Sequence, residues 1–423
     1  MRVLLFRMLC DTGGVSSSML LLGRHLQERG VDVEYWFCRP SVRLPDFLAT
    51  GRATVGSLAA LAARLERVDY DVVQMTASDP AALVVSRLAR NARVVVTSRG
   101  ALSDVWDRGN CFAYTAISDG MAGANQPYTK LEIEVVRNAI DVDAYAPPPA
   151  RVEGAPIVAF VGRTTAVEKD FPRFTRIARR LVERGARVWI ADPHEASWEK
   201  FDGLPVERVP TERWERVRHD SIAEFYRAVA ASGGVVLMTS RTEGFGNVAP
   251  EAAASGARVA APDVMGLRDA IVDGETGMLY PSQATDDEVA QRIQRWLDEP
   301  HDMAHCAEAA RARYSPTAMV DRYLEIYRRR EQRLHRGTGE TPRNASDNAA
   351  MGVLMEHLVK QRRWRAKVAR QAAGELAAAG YRRHALSVIA DGLRTSPTLF
   401  LRAGSLRDLA HTGARLARAD RRM

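Results

Sequence analysis

The sequence predicts an α/β protein made of two parallel-sheet domains and a basic helical extension, and three observations carry that prediction. Short apolar runs alternate with helical patterns over the first 330 residues, a Pro147-Pro148-Pro149 break divides the alternation, and positive charge gathers after residue 350. Alternation of this kind buries each strand on both faces and places ligands at the strands' carboxyl ends.

The chain has 423 residues, 46% hydrophobic and 26% charged, enough for two core-bearing domains and a remainder. No run of 18 apolar residues occurs, and Arg7 interrupts Val3-Leu4-Leu5-Phe6. That first segment therefore reads as a buried strand, not as an export signal or a membrane span, and the expected location is cytoplasmic. Cys10, Cys38, Cys111 and Cys306 lack metal-ligand spacing and read as reduced core thiols.

After the first strand comes a turn containing Gly13-Gly14, then a helical pattern over 19–28. A glycine pair at that point either brings the backbone close to a ligand or is a plain tight turn. Strand-like runs follow at 31–36, 72–75 and 94–97, with helical patterns at 57–67 and 80–90 between them. Arg99 lies just beyond the 94–97 run, where it either caps its loop or offers its fork of donors to an anion.

The second half opens with the strand-like run 157–161, which leads into Gly162-Arg163 and then Glu168-Lys169-Asp170 before a helix over 172–184. Strands are expected at 188–191 and 206–209, and a helix at 221–231. Next comes Met238 to Gly256, MTSRTEGFGNVAPEAAASG, between an apolar run and a small-residue helix. Glu243 and Glu251 stand eight apart, with Gly244, Phe245, Gly246 and Asn247 between them. Glycines here let backbone N–H groups approach a ligand, and a helix start favours an anion. Two acids would repel a bare phosphate, but they suit a ligand that also carries hydroxyls, as a nucleotide-sugar does. The plainer reading is a surface turn with solvated acids. Gly274 and Gly277 read as turn glycines, and helical patterns at 287–298 and 316–330 complete the body.

The Met238 to Gly256 stretch closely resembles the donor-binding E-x7-E motif of glycosyltransferase family 4, retaining bacterial enzymes with two Rossmann-like domains facing a cleft, the GT-B fold. The resemblance implies a first domain at 1–148, a nucleotide-sugar domain at 149–314, a crossover helix at 315–334 returning to the first domain, a linker at 335–350 and the extension at 351–423. It implies Glu243, Arg163 and Lys169 as catalytic residues. Arg163 and Lys169 resemble the family's pair of cations on the donor diphosphate, although Lys169 is one residue further on than usual, which requires a bulged loop. The donor contacts implied are Gly13, Gly14, Arg99, Gly162, Gly244, Phe245, Gly246, Asn247 and Glu251, with Glu251 on the ribose. Many relatives carry a histidine after the strand matching 94–97, whereas this chain has Thr97-Ser98-Arg99-Gly100, and Met265 replaces the first glycine of a later pair. No metal and no cofactor are expected, because no DxD-like pair lies where the phosphates should bind. The expected substrates are an NDP-sugar of UDP or GDP type and a hydroxyl-bearing acceptor: a glycan, a lipid-linked sugar or a small molecule. The implied setting is cell-surface polysaccharide, glycolipid or natural-product biosynthesis. The competing functions are a GT-B phosphorylase or epimerase and a non-catalytic donor-binding subunit.

The net charge is +8. Residues 351–423 hold 15 lysines and arginines against 5 acids, a balance of +10 that leaves the first 350 residues at −2. Helical patterns at 354–379, 382–394 and 397–418 invite three readings: a helical pair docked on the body, a peripheral contact with anionic lipid at the inner face of the membrane, or nucleic-acid binding. The sparse aromatics Trp364, Tyr381 and Phe400 argue against nucleic acid.

Overall fold

The computed structural model describes residues 1–10, 14–41, 43–100, 110–192, 206–207, 219–334 and 364–395. Valine- and leucine-rich runs form two all-parallel sheets. The first contains β1 (Arg2–Leu9), β2 (Asp32–Arg39), β3 (Ala53–Val55), β4 (Val72–Thr76), β5 (Arg93–Ser98), β6 (Ala113–Ala116) and β7 (Ile133–Val135), in the order β3-β2-β1-β4-β5-β6-β7. The second contains β8 (Ile157–Val161), β9 (Arg187–Ala191), β10 (Val206–Glu207), β11 (Val235–Leu237), β12 (Arg258–Pro262) and β13 (Met278–Tyr280), in the order β10-β9-β8-β11-β12-β13. Strand order reverses between β1 and β4 and again between β8 and β11, the places where doubly wound sheets open a ligand crevice.

Alternation along β1 shows how both faces are buried. Val3 and Leu5 join α1 (Gly14–Glu28) and α12 (Pro316–Arg328) in one core. Leu4, Phe6 and Met8 join α3 (Leu58–Arg67) and α4 (Ala82–Leu88) in another. In the second sheet Val158 and Phe160 pack on Phe174 and Ile177 of α6 (Phe171–Val182) and on Ile293 of α10 (Asp286–Asp298). Helix α10 starts with a complete capping box between Thr285 and Glu288.

Sequence patterning found the long elements and missed the short ones. β3, β7 and α2 (Leu44–Leu48) are too brief to show a period, and α11 (Met303–Tyr314) has little apolar asymmetry. Helix α1 begins at Gly14, five residues before its apolar pattern. Its first turn is polar because Arg7 Nη1 donates to Ser16 Oγ at 2.6 Å and Arg43 Nη1 to Ser17 Oγ at 2.6 Å. Elsewhere Cys10, Cys38, Cys111 and Cys306 form no disulfide among the described residues.

Helix α12, capped by Ser315 with Pro316 in its first turn, crosses from the second domain back onto the first. Tyr323 shares a 3.1 Å hydrogen bond with Thr97 of β5, and Arg29 at the end of α1 pairs with Asp321. Glu134 in β7, only 1% exposed at its side chain, receives Arg322 at 2.8 Å and Arg329 at 2.7 Å.

Two further helices, α13 (364–378) and α14 (Arg382–Thr395), form a hairpin turned by Gly380 at φ 86°. Val368, Leu376, Ala385 and Val388 enter the α3/α4 core, and Arg365 Nη2 donates to the Ala77 carbonyl at 2.7 Å. The docked helical pair is thus the reading the structure takes for this part of the tail. Among the described residues no helix is long and apolar enough to cross a membrane. The expected 335–350 linker and the 397–418 helix lie outside the described residues.

Candidate active site at the domain cleft

The loops at the carboxyl ends of β8 and β11 lie against one another. Thr239 Oγ1 donates to the carbonyls of Lys169 at 3.0 Å and Asp170 at 3.1 Å, and Arg241 N–H donates to the Glu168 carbonyl at 2.8 Å. The extra residue between Arg163 and Lys169 is absorbed by one 3-10 turn, Val167–Lys169, followed by Asp170 in the left-handed region at φ 45°.

This brings Lys169 Nζ to 2.6 Å from Glu243 Oε1, with side chains only 16% and 12% exposed. Ser240 Oγ donates to the same carboxylate oxygen at 2.8 Å. Gly162 lies beside the Lys169 aliphatic stem. Arg163 behaves differently: half exposed, it pairs with Glu168 at 2.7 Å, so the two cations are held by different acids.

Glu251 lies in α8 (Val248–Ala254), where the hydroxyl of Tyr226, from α7 (His219–Ala231), donates to it at 3.1 Å. Burial pushes its carboxyl up to about 7, against the opposing pull of hydrogen bonds from Tyr226 and Tyr145 and the charge of Lys169. Lys169 therefore acts on both acids of the motif. Glu251 and Asn247 form one wall of a pocket whose other walls include Ser17 and Arg24 of α1 and Asp141 of the interdomain segment.

The glycine turn meets the first domain directly. Ser118 Oγ donates to the Gly244 carbonyl at 2.7 Å, and a Cβ at Gly244 would stand 2.6 Å from the Arg99 carbonyl, so a side chain there would force the domains apart. Gly246 sits under Leu267. Asn247 Oδ1 accepts from Asn138 Nδ2 at 3.0 Å and lies opposite Gly14 at the start of α1. Asn138 Oδ1 accepts from Arg99 Nη1 at 2.8 Å. Phe245 turns away: it is 1% exposed and packs edge-on against Tyr314, which leaves only its backbone for a ligand. Gly13 lies outside the described residues.

Several supporting residues carry no signature in the sequence. Tyr145 and Tyr226 reach Glu251 from the interdomain segment and from α7. Asp269, in α9 (Leu267–Ala270), accepts the Asp119 N–H at 2.9 Å across the cleft. Gly266, next to the departure at Met265, has φ 84°, and a Cβ there would stand 2.2 Å from the Glu243 carbonyl. Among the described residues no group of three or more His, Cys, Asp or Glu is placed to hold a metal ion.

Comparison with known proteins gives this geometry its context. Residues 155–299 match the family model of the Glycosyl transferases group 1. A D-inositol 3-phosphate glycosyltransferase of Kribbella flavida is 32% identical over 178 residues, covering 37% of this chain and 41% of the relative. An alpha-D-kanosaminyltransferase of Streptomyces kanamyceticus is 32% identical over 185 residues, covering 42% and 46%. The chain thus spans less than half the length of these curated relatives. Among solved structures, Anabaena HepE with UDP and glucose superposes with a TM-score of 0.59 at 18% identity, covering 76% of this chain and 98% of that one. Sucrose-phosphate synthase of Thermosynechococcus elongatus superposes at 0.58 with 16% identity, covering 77% and 98%. At such identities the likeness speaks to the fold. This chain thus carries a Glycosyl transferases group 1 domain at residues 155–299, set in the two-domain GT-B fold.

Proposed function

We propose that the chain is a retaining glycosyltransferase that moves a sugar from a nucleotide donor to an acceptor hydroxyl. The observation that carries the reading is the Lys169–Glu243 pair, largely withdrawn from water at the joined carboxyl ends of β8 and β11, with its glycine turn facing the first domain. A buried pair of this kind is a weak source of stability. It makes sense as a poised site in which the acid meets sugar hydroxyls and the cation meets phosphate. Lys169, Arg163 and oriented backbone N–H groups would stabilise the leaving diphosphate electrostatically. Glu251 would hold the ribose, and Gly14, Gly162, Gly244, Gly246 and Asn247 would line the path between. The acceptor would approach on the face the diphosphate leaves, with a donor phosphate oxygen taking its proton, so no protein base is required. The names of the relatives favour sugar transfer, and the UDP bound to HepE favours a nucleotide-sugar donor, for which UDP and GDP types are the candidates.

A thermal-shift series with UDP- and GDP-sugars tests the reading first, because a ligand bound only to the native state raises its melting temperature. The stabilising donor is then used to follow nucleoside diphosphate release. Glu243→Ala is expected to abolish release, and unaltered turnover by that variant removes the proposal.

A further inference from the structure

The first sheet has its own strand-order reversal between β1 and β4, the place where doubly wound sheets open a crevice, with Arg7 in β1 and Arg99 just after β5, the neighbour of β4. Arg7 extends from β1 to Ser16 in the first turn of α1. Arg99 follows β5 and lies close enough to Arg7 for the two cations to repel. Its Nη1 is held by the neutral amide of Asn138 at 2.8 Å. Among the described residues its Nε and Nη2, the edge of the fork that suits a two-oxygen anion, meet no protein acceptor, and no carboxylate pairs with it. Burial draws the guanidinium's pKa below its usual range, and Arg7 adds to that effect. Arg99 is partly buried, so its guanidinium is partly stripped of water while an arriving anion can still reach it and relieve that cost.

We propose that Arg99, with Arg7 nearby, docks an anionic group, phosphate or carboxylate, carried by the acceptor. The assignment rests on the glycosyltransferase reading. It favours the acceptor over the donor because the donor domain brings its own cations, Lys169 and Arg163, whereas Arg99 belongs to the opposite sheet. Its held Nη1 and open Nε/Nη2 edge fix the plane in which an oxyanion would be met.

The test uses the full chain and two probes. UDP or GDP is titrated alone, and inorganic phosphate is then titrated over the saturating nucleotide, with melting temperature and calorimetric Kd as readouts. Phosphate is expected to bind the nucleotide complex of the wild type and to bind Arg99→Gln about tenfold more weakly or worse, with nucleotide Kd unchanged. Arg99→Lys, which keeps the charge and loses the fork, is expected to fall between them. Nucleotide affinity falling in Arg99→Gln, with no added effect of phosphate, hands the arginine to the donor and overturns the acceptor site. Equal phosphate binding in wild type and Arg99→Gln overturns the subsite altogether. If no nucleotide stabilises the wild type while phosphate binding still depends on Arg99, the anion site is supported and the glycosyltransferase reading is the one that fails.

Discussion

At the scale of single residues, Glu251 and Lys169 make opposite predictions about charge. The folded pKa of Glu251 is raised to about 7 by burial, above the ordinary carboxylate value of 4.5 that it regains on unfolding. Between those values the native state holds the proton more tightly than the unfolded one, so this group's contribution to stability is present at low pH and is lost as pH rises through about 7. Denaturant titrations across that window should show a falling slope that Glu251→Gln removes. Nucleotide affinity should run the other way, rising as Glu251 ionises and accepts ribose hydroxyls, and should be flat in Glu251→Gln. Lys169→Ala leaves the Glu243 carboxylate, 12% exposed, without its cation. It should cost about 2–4 kcal/mol in urea unfolding, less than a fully sealed pair would. A double Lys169→Met, Glu243→Met variant should recover much of that stability with no activity. A double variant as unstable as Lys169→Ala would contradict this account of the pair.

Elements position these side chains through backbone geometry that composition alone does not reveal. The motif glutamate is held from behind by Gly266, whose φ of 84° and 2.2 Å Cβ clearance leave no room for a methyl group. Gly266→Ala should therefore destabilise by about 2–4 kcal/mol and abolish transfer, whereas Met265→Leu, which keeps an apolar side chain against Gly120, should do neither. Unfolding curves and nucleotide release on the two variants separate the cases. The sequence showed only that one glycine of an expected pair was missing. That the survivor carries the constraint depends on where the loops before α8 and α9 meet. The same holds for Lys169: its wider spacing was visible, but the left-handed Asp170 that absorbs it follows from the packing of the two loops.

For the whole molecule, the telling feature is how much of the chain returns to the first domain. Helix α12 and the α13/α14 hairpin both pack there, on opposite faces of one sheet. A chain ending at residue 334 would expose Val368's and Val388's partners in the α3/α4 core, and each fully buried aliphatic is worth about 1.5–3 kcal/mol before entropy is counted. Truncation should lower the melting temperature and increase binding of a hydrophobic dye. An unchanged melt would mean that the hairpin does not hold this position in solution. The two domains themselves meet through Ser118–Gly244, Asp119–Asp269 and Asn138–Asn247, neutral or singly charged contacts that can be broken at small cost, as a cleft that admits substrates requires.

From the sequence alone came the two parallel sheets, the break between them, the two acids with their glycine turn and the basic extension. All of these follow from local periodicity and from residue types at fixed spacing, which any stretch of chain carries with it. Tertiary structure alone decided that Lys169 pairs with Glu243 while Arg163 turns to Glu168, that Phe245 is core, that Tyr145 and Tyr226 hold Glu251, and that Arg99 keeps an open edge. The physical reason is distance along the chain. Lys169 and Glu243 are 74 residues apart, and Ser118 and Gly244 are 126 apart, so only the closing of both sheets determines which groups share a low-dielectric cleft.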